Sequence, residues 1–155
     1  MLLAAVLAAC PAFAASWVVE GRVVGISDGD TVTVLDDSKT QHKVRIAGID
    51  APEKGHRRSA SDRSRTYRRS RSRNRLKHGA KDRYGREVCA LYVARRDVGL
   101  EQIRAGMAWH YKAYQHAQPT QERLVYRDEE DAAKAARRGL WKDAKPLPPW
   151  EWRKR

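Results

Sequence analysis

Residues 17–37, WVVEGRVVGISDGDTVTVLDD, decide the fold. β-Branched residues crowd both ends, and Asp28-Gly29 sits between them as a tight-turn signal. After the turn, residues 31–37 alternate apolar and polar, the period of a half-buried strand. A second turn, DSKT at 37–40, leads into a third strand over QHKVRIAGI at 41–49. Strands joined by tight turns make a meander, an all-β start. Beyond an arginine-rich interval, REVCALYV at 86–93 reads as another strand and ARRD at 94–97 as a turn.

The second half changes period. In DVGLEQIRAGMAWHYK, residues 97–112, Val98, Ile103, Met107 and Ala108 share a helical face, with Asp97 as N-cap. Residues 119–141 read as a further helix, opened by Pro119 and Thr120 and closed by Gly139 as the C-cap. Leu140 and Trp141 then fold back on the core. The tail KPLPPWEWRKR, 145–155, is expected to be extended because proline forbids helix. Its two tryptophans either pack against the domain or offer a stacking platform for bases.

A chain of 155 residues suits one domain. Its net charge of +13 points to nucleic acid or another polyanion. The charge is local, however: Lys54 to Arg86 hold fourteen Lys or Arg and two Asp, leaving +1 for the remainder. Residues 1–15 read as a signal peptide. The apolar run Leu2 to Cys10 is too short for a membrane-spanning helix, and Ala12-Phe13-Ala14 has the small-x-small form of a cleavage site. A basic n-region is missing. The chain is thus expected to be exported to the periplasm or medium, with no transmembrane segment once mature. Leu7-Ala8-Ala9-Cys10 resembles a lipoprotein box, so anchoring through Cys10 is the alternative. With Cys10 removed, Cys89 has no intrachain partner, and within VCALYV it reads as a small core residue.

Two stretches hold residues suited to chemistry. Asp28-Gly29-Asp30-Thr31 lies at the hairpin, and Arg45 to Glu53 is a strand running into a loop. That loop exposes Asp50 and Glu53, and Pro52 stiffens the backbone between them. By themselves such residues are common: Asp28 is a turn former, and a carboxylate near a strand end is usually solvated.

In order along the chain, SDGDTVTV (27–34), VRIAGIDAPE (44–53) and DRYGREVCALYV (82–93) resemble the staphylococcal nuclease (thermonuclease) family. IRAGMAW (103–109) and RRGLWKDAKPLPPWEW (137–152) resemble its exported bacterial members. The resemblance covers about 18–53 and 81–152. It implies a mainly β, α+β fold: an OB-fold five-stranded barrel with up to three helices, one domain over 16–152. It also implies Ca²⁺-dependent hydrolysis of phosphodiester bonds in DNA and RNA by a monomer without a stable protein partner. By position, Asp30 and Asp50 would hold the metal through carboxylates and Ala51 through its carbonyl. Glu53 would act as general base or position the attacking water, and Arg45 and Arg86 would clamp the phosphate. Arg83 and Tyr84 would contact phosphate or base, although Tyr84 also suits a barrel wall.

The chemistry agrees with these roles. Hard oxygen ligands suit Ca²⁺ or Mg²⁺, and His42, His56, His78, His110 and His116 lack metal-ligand spacing. Phosphodiester attack builds negative charge that a divalent ion and two guanidiniums stabilise. Arginine stays charged and forms paired bonds to phosphate.

The resemblance breaks between about 56 and 78, where the family has a helix and then a strand. Ala60, Tyr67 and Leu76 are the apolar residues there. Such a stretch buries too little surface to offset its ordering, so 56–78 is expected to be disordered or misfolded. Three readings compete: an arginine-rich arm that binds phosphates, a solvated loop, or translation in a shifted frame. With Ser59 read from a TCG codon, the shifted frame places an apolar residue there, and the Tyr67 codon forces another, as a helix entry would need. The competing functions are accordingly a non-catalytic OB-fold nucleic-acid binder and the inactive product of a frameshifted nuclease gene.

Overall fold

A computed structural model describes residues 18–53 and 74–154. The signal peptide, the lipoprotein cysteine and the arginine-rich readings for 56–73 lie outside the described residues.

The predicted meander is present as β1 (Val18–Ile26), β2 (Thr31–Asp36) and β3 (Gln41–Ile46), each antiparallel to the next. A two-residue strand β4 (Ile49–Asp50) follows. Strand β5 (Asn74–Lys81) pairs antiparallel with both β1 and β6 (Glu87–Val93). Parallel pairing of β3 with β6, Val44 beside Glu87 and Ile46 beside Cys89, closes the ring β1–β2–β3–β6–β5. The result is the five-stranded OB-type barrel of an α+β fold. Short β7 (Arg96–Asp97) hangs on β6 and leads into α1 (Val98–Arg104). Strand β8 (Trp109–His110) pairs with β4, and α2 (Thr120–Ala135) and α3 (Pro149–Trp152) follow, with short 3-10 turns at Lys112–Ala117 and Gly139–Lys142.

Period-two alternation sets the two faces of the barrel wall. Along β3, His42, Val44 and Ile46 turn inward while Gln41, Lys43 and Arg45 turn outward. Along β6, Cys89, Leu91 and Val93 face in. Val98 and Ile103 of α1 share the same core with Val34, Ile46 and Ile49. Each such buried aliphatic contributes roughly 1.5–3 kcal/mol. Cys89 is a buried core residue as expected and forms no disulfide among the described residues.

Several boundaries differ from the sequence reading. Strand β5 begins at Asn74, inside the stretch expected to be disordered, so the barrel retains the strand that reading removed. Asp97 does cap α1, accepting from Leu100 N–H at 3.2 Å, but the helix ends at Arg104 rather than running to 112. Gly106 at φ 66° turns the chain, placing Met107 and Ala108 beyond the helix and freeing 109–110 to pair with β4. Helix α2 ends one turn before Gly139, with Ala136 as C-cap and Arg137 already left-handed. Gly139 instead meets Gly106: Leu140 N–H donates to Gly106 O at 2.7 Å, which buries Leu140 and sets Trp141 5.3 Å from Trp109. The tail is not wholly extended. Pro149 occupies the first turn of α3, where its missing N–H leaves no gap. Trp150 packs on Trp109 and Tyr111, whereas Trp152 remains 38% exposed.

Candidate active site

The hairpin before β2 fixes the first carboxylate. Ser27 N–H donates to Thr31 O at 2.8 Å, and Asp28 acts as the turn former, accepting Asp30 N–H at 3.2 Å. Buried Gln102 of α1 donates to Gly29 O at 2.7 Å and pins the turn to the core. Asp30 is therefore held almost fully buried. Its Oδ1 accepts the Thr31 hydroxyl at 3.0 Å. Its Oδ2 accepts Arg45 Nη1 at 2.8 Å and Ala51 N–H at 3.1 Å.

Arg45 faces outward from β3, so its guanidinium lies along the wall instead of entering the core. Its second nitrogen, Nη2, donates to Asp50 Oδ1 at 3.2 Å. Asp50 is fully buried where β4 pairs with β8, opposite Trp109. Glu53, three residues on, is more open, with a side chain 37% exposed. The strand-to-loop transition at 46–53 thus sets a buried carboxylate and a solvent-facing one side by side.

Arg86 arrives from the loop between β5 and β6. Asp82 builds that loop, accepting Tyr84 and Arg86 N–H through Oδ1 and Arg86 Nε through Oδ2 at 2.7 Å. The left-handed turn at Gly85 permits this geometry. Arg86 Nη1 then reaches Thr31 Oγ1 at 3.4 Å. A polar chain follows from Arg86 through Thr31 and Asp30 to Arg45 and Asp50.

The charges respond to this packing. Burial pushes the Asp30 carboxyl up, with Asp28 adding to that push and Arg45 opposing it. Burial also works against the charge on Arg45, but Asp30 and Asp50 outweigh it and hold the guanidinium protonated. Slight burial raises Asp82, and the hydrogen bonds from Arg86 and its backbone outweigh that and lower it.

Asp30, Arg45, Asp50, Ala51, Glu53 and Arg86 are therefore brought to one region. Ala51 joins them through its N–H, which donates to Asp30. Arg83 and Tyr84 sit on the outer loop. Tyr84 is 67% exposed, with the guanidiniums of Arg83 and Arg86 over its ring at 4.8 and 5.2 Å, so it is not a barrel wall. Sequence reading missed three further residues. Arg153 of the tail donates to Asp50 Oδ1 at 3.1 Å, Asp50 Oδ2 at 2.6 Å and Glu53 Oε1 at 3.0 Å. Tyr111 and Tyr114 line a cleft of about 990 Å³ with Arg45, Glu53, Arg86 and Arg153. Tyrosines at 111 and 114 were legible as aromatics beside a basic chain, but Arg153 carried no local signal beyond its charge.

Among the described residues, no three His, Cys, Asp or Glu side chains converge as a metal cage. Asp30 and Asp50 share Arg45 and are hard oxygen donors, the ligand type that a Ca²⁺- or Mg²⁺-type ion takes while keeping waters in its shell. His42 bonds Asp36 and Glu87 instead, and His110 bonds Gln118.

A closed OB-type barrel bearing a cleft of arginines, carboxylates and tyrosines defines an OB-fold protein suited to a phosphate-rich ligand. The family model described as Staphylococcal nuclease homologue matches residues 43–143, and the chain belongs to that family. It is 38% identical to an uncharacterized endonuclease of Haemophilus influenzae, covering 86% of this chain and 72% of that one. It is 36% identical to an uncharacterized endonuclease of Escherichia coli O157:H7, covering 88% and 86% respectively. It is 33% identical to a micrococcal nuclease of Shigella flexneri, over 86% of this chain and 80% of the relative.

Proposed function

We propose that the chain is a divalent-cation-dependent nuclease that hydrolyses phosphodiester bonds in DNA and RNA. The observation that carries this reading is the hydrogen-bonded chain Arg86–Thr31–Asp30–Arg45–Asp50, whose two arginines line the cleft together with Glu53. Membership of the nuclease family and the names of its relatives support it.

Asp30 and Asp50 would hold the cation, which when bound supplies positive charge to the phosphoryl oxygens. Arg45 of β3 and Arg86 of the loop before β6 both line the cleft and grip the same phosphate. Their charge is fixed, so they stabilise the extra negative charge of the transition state without having to reorganise. Glu53 is solvent-facing at the cleft, the position from which a carboxylate can take a proton from water. Tyr84, Tyr111 and Tyr114 offer aromatic faces for bases. Among the described residues, no helix is long and apolar enough to cross a membrane. Export of a monomer through cleavage after Ala14 or Ala15 completes the proposal, and the N-terminal mass of the periplasmic protein tests that part.

Purified chain is incubated with plasmid DNA and with RNA in calcium, then with EDTA. Cleavage in calcium that stops in EDTA and is lost in Glu53→Gln supports the proposal. Salt-sensitive binding without cleavage overturns it in favour of a non-catalytic binder.

A further inference from the structure

Arg153 lies 103 residues from Asp50 in sequence, yet it forms a two-nitrogen fork on that carboxylate and reaches Glu53 with one of the same nitrogens. A carboxylate offers about four lone-pair positions. Asp50 gives three of them to guanidinium N–H groups, one to Arg45 and two to Arg153, and has no exposed surface of its own. The carboxylate assigned to the cation is therefore already engaged by two internal cations.

The two guanidiniums are not equivalent. Arg45 sits in the middle of the barrel wall, and its side chain is 15% exposed. Arg153 is on the solvent side, 37% exposed, at the C-cap of the single-turn helix α3. A dication and a guanidinium on one carboxylate repel each other. The partner that can leave is Arg153, because its release breaks no strand pairing.

We propose that Arg153 is a built-in counter-cation: it occupies Asp50 and Glu53 in the cation-free protein and is displaced when a divalent cation binds. This rests on the cation reading above. The tail then acts as a latch that keeps buried Asp50 paired until the ion arrives and that joins ion binding to movement of α3. A chain whose binding-competent form is a minor fraction shows an affinity weakened by that fraction. Removing the latch charge raises the affinity accordingly.

The experiment is a calcium chloride titration by isothermal calorimetry on the wild-type chain, Arg153→Gln, a chain ending at Trp152, and Asp50→Asn. Tryptophan emission is followed in parallel, because Trp150 and Trp152 flank the latch and Trp150 packs on Tyr111. Both latch variants are expected to bind calcium at least about tenfold more tightly than wild type, and wild-type emission is expected to change with calcium. Equal or weaker affinity in both variants, with binding abolished in Asp50→Asn, overturns the latch and leaves the cation site standing. No calcium binding in any chain overturns both. The truncated chain keeps the test decisive if Arg153→Gln folds poorly.

Discussion

Arg45 of β3 and Asp30, the residue that leads into β2, are joined by a 2.8 Å hydrogen bond, with both side chains largely out of water. The same guanidinium holds Asp50 through its other terminal nitrogen. Geometry of this kind follows from β-strand register: Thr31 pairs with Arg45, so the residue just before β2 lies beside the outward face of β3. Arg45 therefore has two tasks, neutralising buried carboxylates and meeting the substrate phosphate.

The two tasks separate in variants. Arg45→Ala leaves Asp30 and Asp50 short of a buried partner, which is expected to cost about 3–5 kcal/mol of stability. Urea unfolding in EDTA reads that loss. Arg45→Lys restores charge but not the fork, so it is expected to recover part of the stability while kcat stays about 10²- to 10³-fold down. Full recovery of turnover in the lysine variant would mean that the fork does not touch the phosphate.

Glu53 gives the opposite pattern. Its side chain is 37% exposed and its described partner is Arg153 on the surface. Glu53→Gln is expected to leave the unfolding free energy within about 0.5 kcal/mol of wild type. The same change is expected to lower kcat about 10²- to 10⁴-fold, the usual worth of a general base. Plasmid cleavage and thermal unfolding on one preparation check both halves. Loss of turnover together with a lowered melting temperature would assign Glu53 a structural role instead.

Much of this was legible beforehand for physical reasons. The meander showed through strict alternation and an Asp-Gly turn, both local properties of the chain. Asp30, Arg45, Asp50 and Glu53 lie close together in sequence, but residue types this common did not single them out locally; the resemblance of SDGDTVTV and VRIAGIDAPE to the nuclease family did. Arg153 did not show, because its contacts cross 103 residues and depend on how α3 docks, which no periodicity encodes. Strand β5 was also missed. Its residues 74–81, NRLKHGAK, contain few apolar side chains, and the strand is specified by backbone pairing with β1 and β6 on its two sides. Helix α1 was drawn too long because its apolar spacing continues past Gly106, where the backbone turns left-handed.

A pH-dependent stability follows from His42. The ring bridges Asp36 through Nε2 and Glu87 through Nδ1, each at 3.1 Å. Burial pulls its pKa down, and the two carboxylates more than compensate, leaving it above the ordinary 6.5. A raised pKa favours the protonated, folded form. Its contribution is full below 6.5 and is lost as pH rises through the higher folded value. Asp36 is lowered, chiefly by its bond to His42, so its contribution is present above its ordinary 3.8 and fades as pH falls below that. Urea midpoints are expected to decline as pH is raised from about 6.5 to about 8.5, and His42→Gln is expected to flatten that decline. An unchanged slope in His42→Gln would place the proton-linked group elsewhere.

Gly106 and Gly85 separate two costs of replacing a left-handed glycine. Both have positive φ, 66° and 73°. A Cβ at Gly85 meets nothing within 4 Å, so Gly85→Ala carries only the backbone penalty of about 1–2 kcal/mol. A Cβ at Gly106 would lie 2.3 Å from Arg138 O, and backbone there cannot yield as a side-chain tip can. The contact is where Leu140 N–H bonds Gly106 O and locks the turn after α2 onto the turn after α1. Gly106→Ala is therefore expected to destabilise by the same penalty plus the loss of that docking, at least about 1 kcal/mol more. Denaturant unfolding of the two variants side by side measures the difference. Equal losses would show that the Gly106–Leu140 junction relaxes without cost and that the close approach of the two turns is not what requires glycine there.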